Sequence, residues 1–271
     1  MAILLGLDNI RFRDTFGVKR EKQMKQLAVL LLIFLISVSF PNAQTEQVDE
    51  GKKEIIVNPA SKARILFLED YYDFGSIPLN AVVVHDFPIK NIGTDTLVIT
   101  AVKPTCGCTT APLGTDKIAP GEVTELHVQL NTKKLNGLVR KFINIECSDP
   151  INPYMRITFK AIINDPNQVI IPIPNTADFG NVLKGDTKAI ALELKNAAAS
   201  DLNLKLVALP DEDLITSKTE KMALKANEIT ELQFALSDRF KAGPIVSSIT
   251  IEAEGKPETR ITIPITGTVV E

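Results

Sequence analysis

The residues with the widest chemical repertoire are three cysteines. Cys106 and Cys108 flank a single glycine, Gly107, and Cys147 lies further along the chain. Soft thiolates select Cu(I) or Zn. Two of them on one turn could chelate an ion, with Cys147 or His85 as a third ligand. A lone Cys-x-Cys is, however, a weaker metal signature than paired Cys-x-x-Cys. The same pair could instead exchange disulfides. Cys106 or Cys108 could also bond to Cys147 as a structural bridge, which needs Cα atoms within about 7 Å. Cys147 alone reads as a small core residue, and a leftover thiol could link to a partner chain. Thr105 and Thr109 flank the pair, with no Lys, Arg or His beside it in sequence to activate a thiol.

The remaining candidates are sparse. His85 alternates onto the same strand face as Phe87 and reads as a partly buried, hydrogen-bonded histidine. His127 alternates outward between Glu125 and Gln129 and reads as a solvated surface residue. Neither sits in a Ser/Asp pattern for a hydrolase triad. Gly-x-Ser-x-Gly, His-Glu-x-x-His and phosphate-loop motifs do not occur. Asp211, Glu212 and Asp213 form the densest acidic cluster, which reads as a solvated loop rather than a Ca²⁺ site, since no spaced oxygen-ligand set follows. These residues support no catalytic centre, and the expectation is a protein that is not an enzyme and needs no cofactor.

The elements that must position these residues are strands. Val83, His85, Phe87 and Ile89 alternate with Val84, Asp86 and Pro88. Leu97 and Ile99 alternate with Val98 and Thr100, and Leu126, Val128 and Leu130 with His127 and Gln129. Ile143, Ile145 and Cys147 alternate with Asn144 and Glu146. A period of two is the mark of a half-buried strand. Asn91-Ile92-Gly93, Pro120-Gly121, Asn136-Gly137 and Asp149-Pro150 supply turn chemistry between the runs. Seven or so such strands describe an antiparallel β-sandwich.

The pattern then repeats. Asp73-Phe74-Gly75 returns as Asp178-Phe179-Gly180 and Lys90-Asn91 as Lys195-Asn196, each 105 positions later. Glu122 and Gly137 return as Glu228 and Gly243 after 106, and Arg156-Ile157-Thr158 as Arg260-Ile261-Thr262 after 104. Near-constant offsets signal a duplicated unit. The sequence therefore predicts an all-β protein of two tandem immunoglobulin-like antiparallel sandwiches, over 54–164 and 165–271. Phe74 and Phe179 are expected as core anchors on the first strand of each, with Gly75 and Gly180 permitting a bend. Asp-Phe-Gly is also a kinase triplet, but its companion motifs do not occur. At the offsets of Cys106, Cys108 and Cys147 the second copy has Asp211, Asp213 and Ala253. The architecture is thus expected to form without these thiols.

The N-terminal end reads as a targeting segment. Lys19, Arg20, Lys22 and Lys25 precede an apolar run from Leu27 to Ile36, followed by Ser37 to Asn42 and a small residue, Ala43. These are the parts of a secretory signal peptide. The run is short for a membrane span, which takes about 20 apolar residues. Residues 1–43 are assigned to an upstream extension and signal peptide, cleaved after Ala43, and 44–53 to a flexible tether. Export to the periplasm or beyond follows, and with it a disulfide-permissive compartment. Residues 44–271 carry 24 basic and 30 acidic side chains, a net of −6. That balance argues against a nucleic-acid partner. The absence of Trp and the three Tyr leave little for stacking single strands or sugars. An envelope or secreted protein is the expected partner, with no membrane span in the mature chain.

Taken in order, Asp73-Phe74-Gly75-Ser76-Ile77, His85-Asp86-Phe87, Asn91-Ile92-Gly93, Thr105-Cys106-Gly107-Cys108-Thr109 and Ile118-Ala119-Pro120-Gly121-Glu122 form a set. With this set, residues 63–163 resemble the bacterial domain-of-unknown-function family 1573, related to Hydin-type and major-sperm-protein-like immunoglobulin domains. The second copy is similar in fold pattern but lacks the Cys motif. The resemblance implies an envelope or secreted protein and carries no established activity. Two functional expectations follow. One is a non-enzymatic interaction or structural module of the envelope. The other is a periplasmic metal-binding or thiol-redox protein centred on Cys106 and Cys108.

Overall fold

A computed structural model describes residues 58–209, 215–217 and 222–271. The segments expected as signal peptide and tether, and the acidic triplet at 211–213, lie outside the described residues. Those described are all-β, with no helix, and hence none long and apolar enough to cross a membrane. Residues 63–163 supply β1 (Ile65–Phe67), β2 (Tyr71–Ile77), β3 (Val82–Asn91), β4 (Leu97–Pro104), β5 (Thr109–Thr110), β6 (Lys117–Ile118), β7 (Val123–Asn131), β8 (Gly137–Cys147) and β9 (Tyr154–Ile163). Residues 170–270 supply β10 (Ile170–Ile173), β11 (Ala177–Leu183), β12 (Lys188–Asn196), β13 (Leu202–Ala208), β14 (Ile215–Ser217), β15 (Met222–Leu224), β16 (Ile229–Leu236), β17 (Gly243–Ala253) and β18 (Lys256–Val270).

Each half pairs these strands in the same way. One four-stranded sheet runs β1-β3-β7-β5, and its counterpart runs β10-β12-β16-β14. The facing strands, β2-β9-β8-β4-β6 and β11-β18-β17-β13-β15, join into a single ten-stranded sheet. The registers repeat as the sequence offsets require: Ile65 opposes Asn91 as Ile170 opposes Asn196, and Thr109 opposes Leu130 as Ile215 opposes Leu236. Two clusters of buried side chains fill the sandwiches. One is built on Phe74, Phe87 and Phe159, the other on Phe179 and Phe234.

Asp-Phe-Gly is a bulge rather than a plain bend. Asp73 Oδ1 accepts the Gly75 N–H at 2.9 Å, and Asp178 Oδ1 accepts the Gly180 N–H at 2.9 Å. Gly75 and Gly180 take φ of 66° and 60°, a left-handed region that favours glycine. The ladder register shifts there, between Asp73 and Ser76 and between Asp178 and Asn181. Phe74 and Phe179 are fully buried as expected, but on the second strand of each half, because β1 and β10 precede them. Asn91 and Asn196 do more than form turns. Both are fully buried, and each side-chain amide donates to carbonyls of the following loop and around the end of a short strand: Asp95 and Ile118 for Asn91, Ser200, Leu224 and Lys225 for Asn196. A buried amide hydrogen-bonded to main-chain carbonyls ties loop to sheet.

The halves meet along β2 and β18, which pair in parallel at Ile261 and Ser76. Side chains seal this seam. Tyr72 donates its hydroxyl to Thr250 Oγ1 at 2.7 Å, and Thr262 donates to the Phe74 carbonyl at 2.6 Å. Arg260 donates to the Asp73 carbonyl at 3.0 Å while its guanidinium holds Glu252 at 2.7 Å. Ser248 Oγ both accepts from Val84 N–H and donates to Val84 C=O. As a result β17 is buried without a break from Ser247 to Ala253, on both faces.

Candidate functional site

The two sulfurs of Cys106 and Cys108 are bonded to each other, with Cα atoms 5.2 Å apart. The bridge sits where the chain leaves β4, in the ten-stranded sheet, and enters β5, in the four-stranded one. The turn therefore crosses between sheets at one end of the first core. Backbone hydrogen bonds pin it on both sides. Thr105 N–H donates to the Phe142 carbonyl at 3.0 Å, and Asn131 N–H donates to the Cys108 carbonyl at 2.9 Å. Thr109 N–H closes the turn on the Cys106 carbonyl at 3.3 Å.

Both cysteines are half-buried and Gly107 between them is exposed. A Cβ added at Gly107 would meet nothing within 4 Å, so the turn faces open space. Cys108 packs against the first core. The Thr109 hydroxyl lies 3.4 Å from the Cys106 sulfur and 3.9 Å from that of Cys108. It can donate to either if a thiolate forms.

Cys147 is a free, fully buried thiol on β8, where it opposes Ile99. The Cys turn begins beyond Pro104, which opposes Ile143 at the other end of the same ladder. Five residues of strand, roughly 17 Å, separate Ile99 from Pro104. The structure thus pairs Cys106 with Cys108 and leaves Cys147 apart. Its sulfur donates to the Asn152 carbonyl at 3.3 Å, and burial pushes its pKa up to about 11.

His85 is buried as its alternation suggests. Its ring stacks on Tyr72 with centroids 3.4 Å apart, and Nε2 meets Glu69 at 2.7 Å. Burial raises the Tyr72 phenol far above its ordinary value, so it stays a neutral donor to Thr250. His127 departs from its solvated reading. It is only one-third exposed, and its Nδ1 lies 2.5 Å from Asp86, its cross-strand neighbour on β3. Among the described residues, no group of three or more His, Cys, Asp or Glu side chains is gathered so as to hold a metal ion. A Cu(I) or Zn site at Cys106 and Cys108 would first require the bridge to be reduced, since the ligand is the thiolate.

Sequence reasoning passed over two features. One is Asp149, read only as a turn residue. It is fully buried and accepts the N–H groups of Ile65, Ile151 and Asn152, with Arg64 at 3.7 Å. Burial works against its charge, but the three N–H donors and the guanidinium outweigh it and hold the carboxyl below its ordinary range. The other is an outer-surface groove of about 600 Å³ lined by Lys103, Asn144, Glu146, Tyr154, Met155 and Arg156. Lys103 pairs with Glu146 at 2.6 Å, and Arg156 lies over the Phe142 ring. The groove adjoins the Cys turn through Lys103, and Tyr154 is 68% exposed. Alternating charged and aromatic residues on an outer strand face carry no sequence signal beyond ordinary solvent exposure.

Residues 65–163 match the family model described as "Protein of unknown function (DUF1573)", the family whose motifs the first half carries. No curated protein matches the chain. Among solved structures, a protein of unknown function from Porphyromonas gingivalis W83 is 16% identical, with 76% of this chain and 99% of that one covered and a TM-score of 0.33. The ASH/PapD-like domain 7 of human CEP192 is also 16% identical, with 40% and 89% covered and a TM-score of 0.31. The tandem Ig repeats of Dlar are 10% identical, with 78% and 99% covered and a TM-score of 0.37.

Proposed function

We propose that this chain is an exported, non-enzymatic interaction or structural module of the bacterial envelope, built from two tandem immunoglobulin-like sandwiches. The observation that carries this reading is the seam. Two sandwiches joined by a shared sheet and buried side-chain hydrogen bonds present their loops and grooves in fixed relation, which suits a docking or spacing role. Pre-set geometry lowers the ordering cost of binding. The contact surfaces favoured are the Thr105–Gly114 loop with the Tyr154 groove beside it, and the edge strands. Most edges are short: β1 and β15 have three residues, β5 and β6 two. Short edges limit unspecific strand pairing. The seven-residue β11, which among the described residues pairs with β18 alone, is the longer edge open to strand addition.

The finer parts of the proposal are a signal peptide cleaved after Ala43 and residence in the periplasm or outside the cell. N-terminal sequencing of the native product should begin at Gln44. The partner is an envelope or secreted protein. Affinity capture from the native envelope should recover it in stoichiometric amount, and a photocrosslinker at Tyr154 or Thr110 should trap it. Capture and crosslinking that recover no protein, from a preparation that turns over a small molecule, would defeat the reading.

A further inference from the structure

We propose that the Cys106–Cys108 disulfide is an exchange site that oxidises a protein dithiol, with Cys106 the sulfur attacked and Cys108 the sulfur released. This goes beyond the docking role and rests on other observations. The bridge spans one residue, so it staples no distant parts of the fold. The second half makes the same sheet crossing from β13 to β14, in matching register, with Asp211 and Asp213 at the corresponding sequence positions. The architecture therefore forms without the bond, and its place on a half-exposed turn facing open space makes it reachable.

The site is asymmetric in a way that assigns roles. Both carbonyls are held by backbone N–H groups, but only Cys108 packs against the first core, so it is the anchored sulfur. Cys106 is half-exposed and does not belong to that core cluster, and a nucleophile reaches a disulfide in line with the bond it breaks. The Thr109 hydroxyl, within 3.9 Å of Cys108 and 3.4 Å of Cys106, supplies a donor for each thiolate in turn. Cys147, buried and far along the ladder, does not compete for the released sulfur.

The step balances as follows. A partner thiolate attacks the Cys106 sulfur, the Cys106–Cys108 bond breaks, and its electron pair leaves on Cys108, which takes a proton. The partner's second thiolate then attacks its own sulfur in the mixed disulfide. The partner's disulfide forms and Cys106 departs as a thiolate, which is protonated. Two electrons and two protons pass from the partner dithiol to Cys106 and Cys108.

The test uses the oxidised full chain and two reduced peptides, one with a Cys-x-x-Cys dithiol and one in which the second Cys is Ser. After native incubation the mixture is quenched with acid and alkylated, and the adducts are mapped by mass spectrometry. The dithiol peptide should lose two hydrogens, one peptide disulfide per chain, while Cys106 and Cys108 become alkylated and Cys147 does not. The single-thiol peptide should be found on Cys106, with the alkyl group on Cys108. A bridge that stays closed in excess dithiol peptide overturns the proposal. An adduct on Cys108 overturns the assignment of the attacked sulfur.

Discussion

Replacing Gly75 by alanine places a methyl group 2.1 Å from the Arg260 carbonyl oxygen and 2.4 Å from its carbon, across the seam. The duplicated Gly180 is a built-in control. It has the same triplet, the same Asx hydrogen bond and nearly the same positive φ, yet a Cβ there meets only the Lys188 ammonium at 3.9 Å. Both variants incur the left-handed backbone cost, about 1–2 kcal/mol. Only Gly75→Ala must also push β2 away from β18. The bonds at risk are Tyr72 to Thr250, Arg260 to the Asp73 carbonyl and Thr262 to the Phe74 carbonyl. At about 1 kcal/mol each, their loss brings the total for Gly75→Ala to about 4–5 kcal/mol. For a chain of this size 1 kcal/mol moves Tm by roughly 2–4 °C. Gly75→Ala should therefore lower Tm by about 8–20 °C, and Gly180→Ala by about 2–8 °C. Thermal and urea unfolding followed by circular dichroism read both values. Equal losses in the two variants would refute the claim that the seam, and not the bulge alone, requires this glycine.

Three further outcomes follow from named residues. Asp149 and Glu252 are buried carboxylates held below their ordinary range. Burial opposes the charge in each, but it is outweighed by three N–H groups and Arg64 for Asp149, and by Lys205 and Arg260 for Glu252. Their contribution is full above the unfolded values near about 4 and is lost as pH falls through the depressed folded ones. Acid unfolding should therefore steepen below about pH 4, and Asp149→Asn should flatten it. The Cys106Ser/Cys108Ser double variant should lose about 1.6 kcal/mol at most, the chain-entropy value for a three-residue loop; a loss of several kcal/mol in urea unfolding would mark the bridge as a structural staple. Cys147 should resist alkylation in the folded chain and react on denaturation. Its raised pKa keeps it neutral when folded, so stability should decline as pH rises from about 9 toward about 11, a decline Cys147→Ala removes.

The strand alternation and the 105-residue offsets were enough to place the buried faces of β3, β7 and β8, because a period of two with one covered face leaves a direct imprint on residue type. Val83, Phe87 and Ile89, Leu126, Val128 and Leu130, and Ile143, Ile145 and Cys147 are buried as their alternation requires. The Cys-Gly-Cys turn was legible as the chemical oddity of the first copy, since the second copy does without it. Its pairing was not legible. Whether Cys106 or Cys108 meets Cys147 depends on how far β4 and β8 overlap, and the ladder register sets Cys147 at the opposite end. The seam was also hidden. Ser248, Thr250 and Thr262 stand where a lone sandwich would face water, and polar residues there look ordinary. Packing of β2 and β3 of the first half against β17 and β18 buries them and supplies hydrogen-bond partners at Tyr72, Val84 and Phe74. Residue type records how polar a position must be. It does not record whether its partner is water or the other half of the chain.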